Sequence, residues 1–276
     1  MKMKPLLTTG LLAAIFMSVA AHAAAFVENF DEAGTTWANT RFSNIIPSGG
    51  GTFERQSLST ALGAPNTSPV LPVNAGGDLE GRYYEASLAI TSSYAVTTGT
   101  FTDATIDGYF GFGIVVAFGA PSMGLLLRES GNSSFPVNSY LATLGLGGPI
   151  APFSNSGNFS IQRITNGVGQ VLATSGNFGT TQANSNYHLT FSAIGSTLTA
   201  SVSQVRVVEG ALVETPITLL TATDFGLTSG AAGVSAFARG QQSIFFDDIS
   251  VVPEPASAAL LGLGALLLAA RRRRGA

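Results

Sequence analysis

The chain has 276 residues, no cysteine, and only two lysines, both within its first four residues. Without cysteine it has no disulfide, no thiolate metal site and no thiol catalysis. Residues 24–252 carry seven arginines against fifteen acidic residues, a formal charge of −8, so they offer no basic surface for nucleic acid or an anionic membrane.

A charged start followed by an apolar run is typical of a signal peptide. Lys2 and Lys4 precede an apolar stretch at 6–21, and two A-x-A cleavage sites lie within 21–25. The apolar stretch is short for the ~20 residues of a permanent transmembrane helix. We therefore predict a signal helix within residues 1–25, recognition by the export machinery, and removal by signal peptidase.

Residues 26–251 are predicted to form one β-structured domain, because short apolar runs alternate with turn residues and helix formers are sparse. The clearest signal is the alternation of Leu189, Phe191 and Ala193 with polar residues, which resumes after Gly195-Ser196. It predicts a β-hairpin with one buried and one solvated face. A second hairpin is predicted at Asn166-Gly167.

Many short strands without βαβ alternation favour two packed antiparallel sheets. The predicted strands are 52–58, 83–91, 111–118, 124–128, 159–164, 188–193, 197–204, 233–238 and 243–251.

No assembled catalytic site is predicted. Asp78-Leu-Glu80 comes nearest to the paired carboxylates of a glycosidase, but it sits beside Gly76-Gly77 and indicates a turn. His188 is the one histidine outside the signal peptide. It begins an alternating strand, which favours a solvated or strand-edge position over the base of a Ser-His-Asp triad.

A metal site is a weaker prediction. Asp247 and Asp248, near the end of the last strand, approach Glu28 and Asp31 if the first and last strands pair. Calcium prefers clustered oxygen ligands, although adjacent strand residues face opposite sides, so only one of the two aspartates can face a shared ion. The alternative is that these carboxylates keep the strand edge soluble.

Five aromatic residues are candidates for stacking on sugar rings if they are exposed, and for core or rim packing if they are not. They are Trp37, Tyr83, Tyr84, Tyr109 and Tyr140.

The C-terminal residues 252–276 have three parts: a Pro-Glu-Pro motif, an apolar run at 256–270 and an arginine run. As a helix, the apolar run is about 22 Å long, short of the ~30 Å hydrocarbon core that it enters. The prolines keep the helix from extending backwards into the domain. The motif residues are Pro253, Glu254 and Pro255, and the arginines predicted to stay cytoplasmic are Arg271, Arg272, Arg273 and Arg274.

These three parts, in this order, closely resemble the PEP-CTERM sorting signal of Gram-negative bacteria. The resemblance covers about the last 24 residues. It implies recognition by an exosortase, a membrane cysteine protease that cleaves near the signal. The protein would pass through the inner membrane as an intermediate and reach the cell surface or extracellular matrix. The alternative is a simple tail anchor after a proline-rich linker.

Three segments of the body, at 187–202, 230–238 and 245–251, are similar to the last third of a concanavalin A-like jelly roll of the laminin-G type. The resemblance implies that the closing strand pairs with an opening strand at 26–31, with Phe26 and Phe30 on the core side. It also allows a structural calcium ion, with no other cofactor.

The sequence as a whole predicts an all-β, two-sheet antiparallel jelly-roll sandwich flanked by a signal helix and a C-terminal membrane helix. The predicted function is that of an exported, non-catalytic surface or matrix protein that associates with extracellular polysaccharide. One alternative is a glycan-active hydrolase or lyase on the same fold. Another is a purely structural coat component.

Overall fold

The described residues of the computed structural model are mostly in β-strands. These residues are 26–28, 44–48, 52–57, 79–85, 90–112, 122–131, 138–145, 158–177, 186–208, 211–239 and 242–254. No helix within these ranges is long and apolar enough to cross a membrane. The predicted signal helix at 1–25 and tail helix at 256–270 lie outside them.

The strands, in chain order, are β1 (Phe26–Glu28), β2 (Asn44–Ser48), β3 (Thr52–Ser57), β4 (Leu79–Glu85), β5 (Ile90–Val96), β6 (Ala104–Phe112), β7 (Ser122–Glu129), β8 (Ser139–Gly145), β9 (Asn158–Thr165), β10 (Val168–Asn177), β11 (Asn186–Ile194), β12 (Thr197–Val208), β13 (Ala211–Thr223), β14 (Ala231–Arg239) and β15 (Gln242–Pro253).

Two antiparallel sheets contain these strands. Sheet A has the order β13-β12-β11-β6-β15-β4-β3, with β1 added to β15, and sheet B has the order β10-β9-β8-β7-β14-β5-β2. Every named pairing is antiparallel, and neighbours in space are often distant in sequence, as with β6 and β15. The predicted all-β two-sheet antiparallel sandwich is confirmed.

Both predicted hairpins are present, and each turn uses a left-handed backbone position. Gly195 has a φ of 56° at the β11–β12 turn, whereas Asn166 and Gly167 have φ of 50° and 74° at the β9–β10 turn. Two consecutive positive φ values are what a type I′ hairpin requires, and asparagine and glycine tolerate them best. Leu189, Phe191 and Ala193 are buried, as their alternation predicts.

The opening strand pairs with the closing strand, as the jelly-roll resemblance implies. Phe26 lies opposite Val251, and Glu28 lies opposite Ile249. Phe26 packs against the core between the sheets, while Phe30 lies outside the described residues. The chain therefore begins its first strand and completes its last one at the same end of the sandwich.

Two strand predictions need correction, and three strands were missed. The single strand predicted at 83–91 is wrong, because β4 ends at Glu85 in sheet A and β5 begins at Ile90 in sheet B. Strand β6 begins at Ala104 rather than Gly111, and residues 113–118 lie outside the described part. The strands that were not predicted are β2, β8 and β13. β13 contains Pro216, and it lies at the edge of sheet A, where a missing N–H is tolerated.

The main core lies between the sheets, where Phe110 of β6 and Phe246 of β15 pack edge to face with centroids 5.5 Å apart. A second apolar cluster lies on the opposite side of sheet B. In β7, Leu125 and Leu127 join the main core, whereas the intervening Leu126 joins this second cluster. Its buried members are Tyr94, Val96, Leu126, Leu141, Ile164 and Phe237.

Sheet A contains a β-bulge between β15 and β6. Asp248 and Ile249 of β15 both lie opposite Gly108 of β6, and Asp248 has a φ of 45°. A Cβ at position 108 would overlap the Ile249 side chain, so glycine is what allows this close packing. The bulge leaves Ile249 in the core and Asp248 exposed on the surface.

Candidate functional site

The first site of interest is the end of the sandwich where β15 finishes, which we call the tail end. Pro253 lies opposite Ala104 in the β15–β6 ladder. The next residue, Glu254, donates its backbone N–H to the carbonyl oxygen of Asp103 at 3.0 Å. Its side-chain Oε1 accepts a hydrogen bond from Thr105 Oγ1, also at 3.0 Å. The first two residues of the Pro-Glu-Pro motif are thus held by the folded domain.

The tail end also contains a buried arginine with several hydrogen-bond acceptors. Arg128 is only 3% exposed, and it donates to the carbonyl oxygens of Thr102 and Leu227, each at 2.8 Å. It also pairs with Asp103 Oδ1 at 3.2 Å, and that same oxygen accepts the N–H of Gly195 at 2.8 Å. A desolvated guanidinium needs several acceptors of this kind. Asp103 is therefore held by both Arg128 and the N–H of Gly195.

A second carboxylate at the tail end is that of Asp224. Asp224 accepts hydrogen bonds from the Tyr140 hydroxyl at 2.6 Å and from Arg163 at 2.9 Å. Burial favours the neutral acid, but the Tyr140 hydroxyl, the N–H of Gly226 and Arg163 outweigh it and hold the pKa of Asp224 below its usual value. Asp224, Tyr140 and Arg163 are thus bound to one another, which indicates a structural role for these contacts.

The second site lies on the outer face of sheet A, the side away from the core. We call it the His188 cluster, and it joins side chains from four strands. The His188 ring stacks on Tyr109 at 4.5 Å and 14°. Its Nδ1 lies 3.0 Å from Glu214, and its Nε2 lies 3.6 Å from Asp107, an ion-pair distance too long for a hydrogen bond. The cluster members are Asp107, Tyr109, His188, Glu214 and Ser250.

Two further hydrogen bonds complete the His188 cluster. The Tyr109 hydroxyl donates to Glu214 Oε1 at 3.0 Å, and the Ser250 hydroxyl donates to Asp107 Oδ1 at 2.6 Å. His188, Asp107 and Glu214 remain 22%, 32% and 36% exposed. The cluster is therefore tied together internally and is still reachable from solvent.

The ionisation of the cluster follows from these contacts. Burial would lower the pKa of His188, but the carboxylates of Asp107 and Glu214 outweigh it and raise that pKa above its usual value. Burial likewise pushes the pKa of Asp107 up, and His188 together with the Ser250 hydroxyl brings it below its usual value. Burial and the Glu214 carboxylate, with smaller contributions from Asp248 and Asp107, raise the pKa of Tyr109 to about 12.

The protonation states of the cluster follow from these shifts. The two carboxylates favour the protonated imidazole of His188, because they raise its pKa. The Tyr109 hydroxyl stays neutral, because its pKa is also raised. The cluster presents a stacked ring pair bordered by carboxylate oxygens, a surface that can accept hydrogen bonds from hydroxyl groups.

The predicted calcium ligands lie on different faces. Paired residues of neighbouring strands project to the same side, so Glu28 shares a side with its core partner Ile249, and Asp247 shares one with Tyr109. Asp31 lies outside the described residues. Among the residues that are described, no three His, Cys, Asp or Glu side chains are arranged to hold a metal ion. The calcium site stays a prediction.

Two of the five aromatic candidates have surroundings that the structure describes, and these surroundings differ. Tyr109 is in the His188 cluster, whereas Tyr140 is buried in the core. Tyr83 and Tyr84 lie on β4, and Trp37 is outside the described part.

Sequence reasoning missed Asp107, Glu214 and Ser250 as neighbours of His188, because their strands are far apart in the chain. The one local signal was that β6 alternates core and solvated residues at 104–110.

Comparison with known proteins supports both the tail and the fold. Residues 251–274 match the model of the PEP-CTERM protein-sorting motif, which confirms the resemblance of the tail. No curated protein sequence matches the chain.

Among solved structures, a Bacillus subtilis protein of unknown function with a galectin-like fold has a TM-score of 0.51 at 11% identity, covering 84% of this chain and 97% of that one. The exoplasmic/lumenal domain of VIP36, in its Ca²⁺-bound form, has a TM-score of 0.50 at 8% identity, covering 85% and 93%. At such identities the likeness shows a shared lectin-like jelly-roll fold.

Proposed function

We propose that this chain is an exported surface protein that an exosortase processes within residues 251–274. The observation that carries the proposal is the match of these residues to a protein-sorting motif, whose first three residues form the end of the last strand of a folded domain. A β-sandwich whose last strand runs into the motif can fold outside the membrane while the apolar run at 256–270 remains attached to it.

The order of events follows from the two ends of the sequence. The export machinery delivers the chain, and signal peptidase removes residues 1–25. The apolar run at 256–270 then holds the precursor in the inner membrane of a Gram-negative cell, with Arg271–Arg274 on the cytoplasmic side. Exosortase cleavage releases the sandwich to the cell surface or the extracellular matrix.

Replacing Pro253, Glu254 and Pro255 together by alanine tests the sorting proposal in the native host. The expected result is a precursor that stays in the membrane fraction with its arginines intact, whereas the wild type loses them. Fractionation and mass analysis of the C-terminus measure both. Alanine at the exposed Thr197, Thr221 and Thr223 is the matched control. An intact Arg271–Arg274 tail in the wild type would end the proposal.

At the surface, the sandwich associates with a neutral polysaccharide through the His188 cluster. The stacked Tyr109 and His188 rings suit the apolar face of a sugar, and the carboxylates of Asp107 and Glu214 suit its hydroxyls. Negative charge from these groups, from Asp248 and from the domain as a whole repels uronates and sulfates. Neutral glycans therefore fit the site best.

Binding of the mature protein to arrayed neutral and acidic glycans tests this step. Tyr109→Ala is expected to weaken binding at least ~10-fold, because aromatic anchors supply much of the binding energy at such sites. Phe225→Ala is the matched control, since Phe225 is 80% exposed and lies outside the cluster. Equal loss in both variants, or a preference for acidic glycans, would contradict the site.

A glycan-active hydrolase or lyase is the alternative on the same fold. It requires that the mature protein shortens a polysaccharide and that His188→Gln abolishes the shortening. The non-catalytic proposal requires that the polymer keeps its length during binding, measured by size-exclusion chromatography.

A further inference from the structure

We infer that the folded sandwich restrains its own sorting motif, and that Thr105 is the positioning residue that sets how often the motif detaches. This rests on the proposed processing within 251–274. The carrying observation is that Glu254 is bound to the domain twice, through its N–H to Asp103 and through its carboxylate to Thr105.

Within the described part of the chain, the end of β15 is held along one edge only. At Ser250 and Val251 the strand has β6 on one side and β1 on the other. From Val252 to Glu254 the described partners are β6 and the preceding residue Asp103. Val252 lies opposite Thr105, and Pro253 has no N–H to donate. This short segment can therefore open without disturbing the core.

Proteolysis requires a segment to leave its own structure, because a protease binds its substrate as an extended chain with free backbone groups. While Val252–Glu254 remain on β6, their backbone is part of a sheet ladder. The Glu254 carboxylate, the one charged group of Pro253-Glu254-Pro255, accepts a hydrogen bond from the Thr105 hydroxyl. Recognition of that carboxylate by a protease competes with the contact to Thr105.

Thr105 is well placed for this role without being part of the core. Its side chain is half-buried on the outer face of sheet A, while its neighbours Ala104 and Ile106 face the core. Removing its hydroxyl therefore removes the restraint and leaves the packing in place. Thr199 has the same half-buried setting on the outer face of β12, at a distance from the motif in the sheet order, and provides a matched control.

The test compares Thr105→Val, Thr105→Ser and Thr199→Val in the full chain. Pulse-chase labelling in the native host measures conversion of the precursor to the processed form. Thr105→Val should be processed roughly three- to tenfold faster than the wild type, the range expected for losing one hydrogen bond of ordinary strength at a partly exposed position. Thr105→Ser and Thr199→Val should match the wild type, because the first keeps the hydroxyl and the second lies elsewhere.

Hydrogen exchange of the purified precursors supplies a second measurement that does not depend on the protease. The Glu254 amide should exchange faster in Thr105→Val by the same factor, with no change in Thr199→Val. Unchanged or slower processing of Thr105→Val, in cells where the wild type is processed, would overturn this inference and leave the sorting proposal standing. A wild type that is never processed would overturn both.

Discussion

The outer faces of the two sheets differ in what they expose. On sheet B, the side away from the core is buried and carries an apolar cluster, with Leu126, Leu141 and Ile164 at 0–1% exposure. On sheet A, the corresponding side carries Asp107, Tyr109 and His188, all half-buried and polar. Antiparallel sheets commonly have one packed and one solvated face. Here only sheet A follows that pattern.

This difference favours the outer face of sheet A as the site of the proposed polysaccharide binding. A residue on the buried outer face of sheet B contributes to stability and cannot contact a polysaccharide from solvent. The His188 cluster, in contrast, is held by cross-strand contacts and remains accessible. We expect substitutions on sheet B to change the free energy of unfolding, and substitutions in the cluster to change binding.

The same substitution on the two faces gives the largest expected contrast. Leu141→Ala should lower the free energy of unfolding by about 3 kcal/mol, because it leaves a cavity in a packed cluster. Leu219→Ala should change it by less than about 0.5 kcal/mol. Leu219 lies opposite Ser201 on the outer face of sheet A and is 66% exposed. Urea denaturation measures both, and equal effects would remove the distinction between the faces.

A buried arginine and an exposed arginine give a second contrast between buried and exposed positions. Arg128→Met should lower the free energy of unfolding by about 2 kcal/mol, because it leaves the carbonyls of Thr102 and Leu227 without the arginine donor and removes the ion pair with Asp103. Arg206→Met is the control, since Arg206 is exposed and its side chain donates a hydrogen bond to Gln204 Oε1 at 3.2 Å. A midpoint for Arg128→Met that equals the control would show that water replaces the arginine without loss.

Much of the fold could be predicted because its signals are local. Alternation at Leu189, Phe191 and Ala193 determines a buried face, and Asn166-Gly167 meets the backbone demands of a tight turn. The strand predicted at 83–91 failed for a corresponding reason. Local hydrophobicity does not show that the chain leaves sheet A after Glu85 and enters sheet B at Ile90.

The His188 cluster could not be predicted, since its contacts join residues 26 to 143 positions apart. Alternation shows that Asp107 and His188 face solvent, but only the order β11-β6-β15 brings them together with Ser250. Glu214 lies on β13, whose Pro216 obscured the strand signal. The hold on Glu254 is likewise non-local, because Thr105 is 149 residues away. The sorting motif itself is contiguous, so sequence alone was enough to find it.

The smallest expected effect is a pH dependence that belongs to sheet A. Because the folded pKa of His188 is raised, its ion pairs stabilise the protein fully below the unfolded pKa of about 6.5, and this contribution is lost as the pH rises through the folded value. The lowered pKa of Asp107 sets the acid limit. Its contribution is present above its unfolded value of about 3.9 and is lost as the pH falls through the folded one.

His188→Phe tests this dependence, because phenylalanine can still stack on Tyr109 while the charge is removed. The difference in unfolding free energy between wild type and variant should be greatest near pH 5–6 and should shrink by at most about 1 kcal/mol towards pH 9, since half-exposed ion pairs contribute little. Urea midpoints at several pH values measure it. A difference that grows with pH would mean that His188 is held neutral in the folded protein, and would contradict the ion pairs with Asp107 and Glu214.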